Sequence, residues 1–297
     1  MQLEEAATYQ TSHVLVSKLK DYSEFIKLRL TSLVIFSAAT SYLLAADKID
    51  WFRLLMLIIG GLMVTGSSNG FNQIYERETD KLMMRTAERP LPKERMTINE
   101  ATLLASVLGV TGISILWFFL NPLSAILGAT ALVLYTIVYT PLKRITPFAV
   151  FVGAFPGSIP PLIGWAAYAN EIGLTAWILF SIQFIWQFPH FWAIAWRLDE
   201  DYKRAGFTML PSGKRDKSSA FQILIYTIGL IPISLTPVFF HISGYISLAL
   251  ILIAGILFLY QAYKLYNSLS LEVASKLMFG SFIYLPIVQI ALLIDKL

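Results

Sequence analysis

Long apolar runs separated by polar breaks dominate the chain. Nine runs, at roughly 30–46, 54–74, 101–120, 122–139, 148–168, 174–195, 220–240, 244–263 and 277–294, each approach the length at which a helix crosses a bilayer core. A run of that length in hydrocarbon must satisfy its backbone internally, which predicts helix. The expectation is therefore an all-α, polytopic membrane protein with about nine transmembrane helices. Breaks after runs 1, 3, 5 and 7 are short. Those after runs 2 and 6, at roughly 75–100 and 196–219, are long and charged. No break looks like the boundary of a soluble domain, so residues 29–297 read as a single membrane domain preceded by a segment, 1–28, outside the membrane.

Charge fixes the expected orientation. All but Lys48, Arg53 and Lys296 of the 23 Lys and Arg residues fall on one side of the alternating spans. The side richer in basic residues faces the cytoplasm, which places the N-terminus inside and the C-terminus outside. The net charge of +4 then reflects topology, and nucleic acid is not needed to explain it. Residues 1–28 hold Glu4, Glu5, Asp21 and Glu24 without a long apolar run. They resemble neither a signal peptide nor a transit peptide, which points to a bacterial inner membrane. With no cysteine in the chain, disulfides, thiolate metal ligands and a cysteine nucleophile are excluded.

Acidic residues concentrate in the two long breaks: Glu76, Glu78, Asp80, Glu88, Glu94 and Glu100 in the first, Asp199, Glu200, Asp201 and Asp216 in the second. Mixed charge of this kind is often only a solvated surface. Asn72, Glu76 and Asp80 stand apart because their i, i+4, i+8 spacing puts them on one face if the second span continues as helix. An amide and two carboxylates offer the hard oxygen ligands that Mg2+ takes together with water and substrate phosphates. Lys81, Arg85 and Arg89 follow directly and can hold diphosphate oxygens. Metal, carboxylate and cation together suit a diphosphate leaving group, whose charge must be stabilised as its bond breaks. Arg-Pro-Leu-Pro at 89–92 should end the helix.

The Asn-x-x-x-Glu-x-x-x-Asp pattern resembles the first motif of the UbiA superfamily of intramembrane prenyltransferases, usually Asn-x-x-x-Asp-x-x-x-Asp. The longer string NQIYERETDKLMMRTAERPLP is similar to the protohaem IX farnesyltransferase branch, which shares Glu at the middle position. YTPLKRITP at 139–147, PGSIPPLIGW at 156–165, WQFPHFWAIAW at 186–196 and DYKRAGFTMLP at 201–211 extend the resemblance from Lys27 to about Pro211. It implies helices around a central cavity open to lipid, with Mg2+ held by Asn72, Glu76, Asp80 and, from the second motif, Asp201. These four are also the expected catalytic residues. Arg29, Lys81, Arg85, Arg89, Lys143 and Arg144 are the expected diphosphate ligands. Many members carry a second aspartate four residues before the Asp201 position; Arg197 stands there in this chain. FIKLRLTSL resembles the family's Lys-Pro-Arg string with Leu28 in the proline position, so Lys27 and Arg29 can reach the diphosphate or serve as interfacial anchors.

The same resemblance implies haem B and farnesyl diphosphate as substrates, arriving from the surrounding membrane lipids. A haem A synthase or terminal oxidase assembly is the expected recipient of the product. His190 lies at membrane depth after Pro189, where a haem-iron contact competes with an ordinary helix-packing hydrogen bond. The fifth run carries Gly153, Pro156, Gly157, Pro160, Pro161 and Gly164 and reads either as a kinked packing helix or as a cavity wall. Competing readings are a prenyltransferase for another aromatic acceptor, a transporter gated at that fifth run, and a haem-binding assembly factor that would not need the aligned motif.

Overall fold

A computed structural model describes residues 16–297. Among these, nine helices are long and apolar enough to cross a membrane: α1 (Leu28–Ala45), α2 (Trp51–Asp80), α3 (Ile98–Leu120), α4 (Pro122–Leu142), α5 (Ala149–Ala169), α6 (Leu174–Arg197), α7 (Lys217–Phe239), α8 (Tyr245–Ser268) and α9 (Leu271–Ile294). All nine expected spans are present. The polar edges extend further than the apolar pattern suggests, most of all in α2, which continues as helix to Asp80. Two short helices lie outside the spans, one over 16–25 and one at Asp199–Arg204.

Local chemistry sets the ends. Asp50 accepts from the Arg53 N–H at the start of α2, and Thr97 with Glu100 forms a reciprocal capping box on α3. Asn121 caps α4, with Pro122 in the first turn, where its missing N–H costs nothing. Asp216 and Ser270 cap α7 and α9. Two spans widen into π-helix, α3 over Leu116–Leu120 and α4 over Leu134–Tyr139. In α4 the widened turn leads into Pro141, which has no N–H to continue the ladder. The Thr140 hydroxyl instead donates to the Tyr135 carbonyl at 2.8 Å.

α5 is the most enclosed span, which accounts for its glycines. A Cβ on Gly164 would lie 1.9 Å from the Ala38 carbonyl oxygen, so α1 and α5 touch backbone to backbone. One core binds α6 to α9 through large side chains such as Trp192, Trp196, Phe258 and Tyr284. A second joins α1 to α5. A third, around Phe25, Leu91 and Met96, seats the 16–25 helix against α2, α3 and the loop between them. Between α1, α2, α4 and α5 lies a cavity of about 110 Å³, walled by Ile35, Leu57, Val64 and Ile163 and headed by Ser68, Asn69 and Tyr135. Pro156, Gly157 and Pro160 of α5 line it too. The proline-rich span is therefore both a packing helix and a cavity wall.

Candidate active site

Because α2 continues past its apolar stretch, Asn72, Glu76 and Asp80 do share one face, and all three are buried. Each meets a cation brought by a different part of the chain. Lys27, at the start of α1, donates to Asn72 Oδ1 at 3.2 Å. Lys143, just beyond α4, lies 2.5 Å from Glu76 Oε1. Arg89, from the loop after α2, donates to Asp80 Oδ2 at 2.7 Å. Asn72 also donates to the Thr140 hydroxyl at 3.3 Å, which the π-turn of α4 presents.

The cations feel each other. Burial, with Arg89 and Lys143 nearby, holds the Lys27 ammonium well below its usual range. For Lys143, burial pushes the same way, but the Glu76 carboxylate outweighs it and the ammonium is held above its usual range. Such a cluster is suited to take an anion: three positive groups converge, and only two carboxylates are present to offset them.

The other expected diphosphate ligands are dispersed. Arg144 donates to the Thr79 hydroxyl at 3.2 Å and lies over the Tyr75 ring, at the rim of the cluster. Lys81 pairs with Glu78 at 3.1 Å, and Arg85 and Arg29 are exposed. Of the two basic residues expected near the start of α1, Lys27 meets the motif face and Arg29 is exposed. The second motif is separate. Asp201 accepts from the Met84 N–H at 3.2 Å and from Arg204, so it ties the two long loops together without joining the face of α2. Burial opposes its charge, but Arg204 and the Met84 and Arg85 N–H groups hold its carboxyl below the usual range.

Residues 33–285 match the UbiA prenyltransferase family. The chain belongs to the UbiA prenyltransferase family. Its relatives include proteins named protoheme IX farnesyltransferase from Cytophaga hutchinsonii, 47% identical over 95% of this chain and all of that protein, and from Christiangramia forsetii, 46% identical over 94% of each. Two solved structures share the fold. One, from a study of digeranylgeranylglyceryl phosphate synthase in membranes, has a TM-score of 0.78 at 24% identity, covering 94% of this chain and 98% of that one. The other, a UbiA homolog from Archaeoglobus fulgidus bound to GPP and Mg2+, has a TM-score of 0.69 at 12% identity, covering 92% and 99%.

The donor atoms on α2 suit a magnesium ion. Asp80 Oδ1 is buried with no hydrogen-bond partner, and Glu76 Oε1 has Lys143 beside it but off the line of a hydrogen bond. A buried, unpartnered carboxylate oxygen is costly unless something fills the site. Among the described residues no three His, Asp or Glu side chains converge into an all-protein cage. Two carboxylates and an amide on one helix face are the partial set that Mg2+ completes with water and phosphate.

His190 lies elsewhere, between α6 and α9. Its Nδ1 is 2.7 Å from the Ser281 hydroxyl, and its ring stacks on Trp186 at 4.4 Å. Ser281 donates its own proton to the Met278 carbonyl at 2.5 Å. It must then accept from His190 Nδ1–H, which leaves Nε2 as a lone pair. The packing role is thus present. Sequence reasoning passed over Thr140, Tyr135, Asn69 and Gln73. The last two, amides one turn apart inside an apolar run, were the available signal.

Proposed function

We propose that this chain transfers the farnesyl group of farnesyl diphosphate to a vinyl group of haem B, with addition of water, giving haem O and diphosphate. The observation that carries the reading is the placement of three cations against the oxygens of Asn72, Glu76 and Asp80, on the continuation of α2 beyond the Ser68–Asn69 end of an apolar cavity of about 110 Å³. A substrate with a greasy tail and an anionic head matches that division. The names of relatives more than 40% identical over nearly the whole chain supply the acceptor. Other aromatic acceptors remain the second reading; the matching strings at 186–196 and 201–211 favour haem.

In this reading the tail lies along Ile35, Leu57 and Val64, and the diphosphate sits against Lys27, Arg89 and Lys143, with Arg144, Lys81, Arg85 and Arg29 at or beyond the rim. Asn72, Glu76 and Asp80 would hold Mg2+; Asp201, the fourth expected ligand, would join them only by leaving Met84 and Arg204. Bound there, Mg2+ supplies charge neutralisation to the leaving diphosphate. The C1–O bond breaks with its electron pair on the diphosphate. The terminal vinyl carbon bonds to C1, leaving a cation next to the porphyrin ring. Water adds to that carbon and releases a proton. The apolar walls keep water from C1 until then. His190 offers its Nε2 lone pair to the haem iron. The motif-bearing end of the bundle faces the cytoplasm of a bacterial cell membrane, and the product passes to a haem A synthase or oxidase assembly.

The test incubates the purified protein with haem B, farnesyl diphosphate and Mg2+, and separates the extracted haems by mass. A farnesylated, hydrated haem that is lost with a chelator and in Asp80→Ala supports the reading. Prenylation of another aromatic acceptor in place of haem would overturn the acceptor. For His190, an unchanged visible spectrum of bound haem in His190→Ala would remove the iron contact.

A further inference from the structure

The chain does not run straight from the 16–25 helix into α1. It breaks at Lys27, whose φ of 52° and ψ of 54° lie in the left-handed region. A non-glycine residue adopts that conformation only where its surroundings impose it. A continuous helix would satisfy the carbonyls of Glu24, Phe25 and Ile26 with N–H groups four residues on. At the break Glu24 O keeps a backbone donor, the Lys27 N–H at 3.2 Å, while the Phe25 and Ile26 carbonyls are diverted and need other donors.

Two side chains of α2 supply them. Gln73 donates to Phe25 O at 2.7 Å and to Glu24 O at 3.3 Å. Asn69 donates to Ile26 O at 3.2 Å and to the Thr31 hydroxyl at 3.1 Å, and that hydroxyl itself donates to Ile26 O at 2.9 Å. Gly70 lies between them on the helix. A Cβ there would come within 2.7 Å of the Phe25 ring, so the glycine lets the break sit flush on α2. All three carbonyls at the turn are thus held by a helix that also carries the motif face. Asn69 and Gln73 occupy one strip of α2, and Asn72 lies on the next, facing Lys27.

We propose that Asn69 and Gln73 are positioning residues: they hold the break ahead of α1 in the one shape that aims the Lys27 ammonium at the diphosphate site. The inference rests on the diphosphate reading above. It assigns to two amides a role in substrate affinity, although neither touches the reacting atoms. A purely structural role for the same amides would lower stability without favouring one substrate over the other.

The test is a double-mutant cycle on the full-length protein. Asn69→Leu, Gln73→Leu and the milder Thr31→Val are each made alone and with Lys27→Met. Binding of inorganic diphosphate with Mg2+ is measured by calorimetry, and KM is measured separately for farnesyl diphosphate and for haem. Each single variant should weaken diphosphate binding by roughly tenfold, the scale of a hydrogen bond to a charged or aligned group. It should add nothing once Lys27 is gone and should leave KM for haem in place. Equal losses with and without Lys27, or a KM for haem rising in step, would overturn the proposal. Ser67→Ala serves as the structural control, since its hydroxyl bonds Ala105 O on α3 and not the break; a diphosphate loss there as large as in Asn69→Leu would also overturn it. Should the wild type bind diphosphate but leave haem unmodified, the acceptor reading fails while the cycle still decides the role of the two amides.

Discussion

The loops that follow α2 and α6 carry nearly the same side chains, yet they use them in opposite ways. Around the first, Glu76 and Asp80 are buried, and their cations come from elsewhere: Lys143 is 67 positions on, and Arg89 reaches back around a turn. Around the second, Asp201 pairs with Arg204 and Asp199 with Lys203, three and four residues along one short helix, with these basic partners about half exposed; Asp199, buried and also 3.6 Å from Arg215, has a more distant cation as well. Pairs of the second kind form in any solvated helix and contribute little. Pairs of the first kind carry a desolvation cost that only good geometry offsets. Charge content alone therefore does not separate the two loops; burial of charge against distant partners does.

The contrast can be broken most directly at Asp80. Asp80→Ala should lower turnover by about 100-fold or more, the scale of losing an electrostatic group that acts on developing charge; a loss under tenfold would place the chemistry elsewhere. Next in size is Lys143→Met, which leaves Glu76 buried without its cation. About 3 kcal/mol of stability should be lost, read as a lower thermal midpoint in detergent, and Glu76→Gln in the same chain should recover part of it. Asp201→Asn should act more weakly, by about 1–2 kcal/mol in the docking of the two loops, since it weakens one charge-assisted contact to Met84. Hydrogen exchange at residues 82–86 would report it.

Smaller still is the cap of α7. The Ser219 N–H and the Ser212 hydroxyl hold the Asp216 carboxyl below its usual range. A depressed carboxylate adds stability that is complete above the ordinary carboxylate pKa and is lost as pH falls through the lower folded value. Between pH 5 and 8 the start of α7 should therefore show no pH dependence from this group. Asp216→Ala should cost about 1 kcal/mol there. Glu200→Gln, at a side chain 79% exposed, should change neither activity nor stability by more than about 0.5 kcal/mol. A large effect at Glu200 would blur the distinction between the loops.

The apolar pattern was sufficient to place all nine spans, because hydrocarbon leaves a backbone of that length little choice but helix. The strip of Asn72, Glu76 and Asp80 was equally legible, since helical spacing is rigid. Which cations reach it was not. Arg29 and Lys27 are two residues apart, and only the left-handed turn at Lys27 decides that the lysine enters and the arginine faces out. Arg85 and Lys81 read as well as Arg89 on paper. What separates them is how the chain folds back after Asp80, where the Thr86 hydroxyl bonds the Asp80 carbonyl at 2.9 Å. Thr140 was hidden for a similar reason, because its approach to Asn72 depends on a widened turn that ordinary helical spacing does not anticipate.

One bond bears on how such a chain is made. Gln289 on α9 donates to the Ser37 hydroxyl on α1 at 2.9 Å, across 252 positions of sequence. Ser41 of the same α1 face donates to the Pro161 carbonyl on α5. During synthesis, the first span thus waits in the lipid with part of its polar edge unmatched until the fifth and ninth have been delivered. Chains that stop before residue 289 should linger at that stage, where a membrane chaperone or protease would find them by the exposed edge of α1.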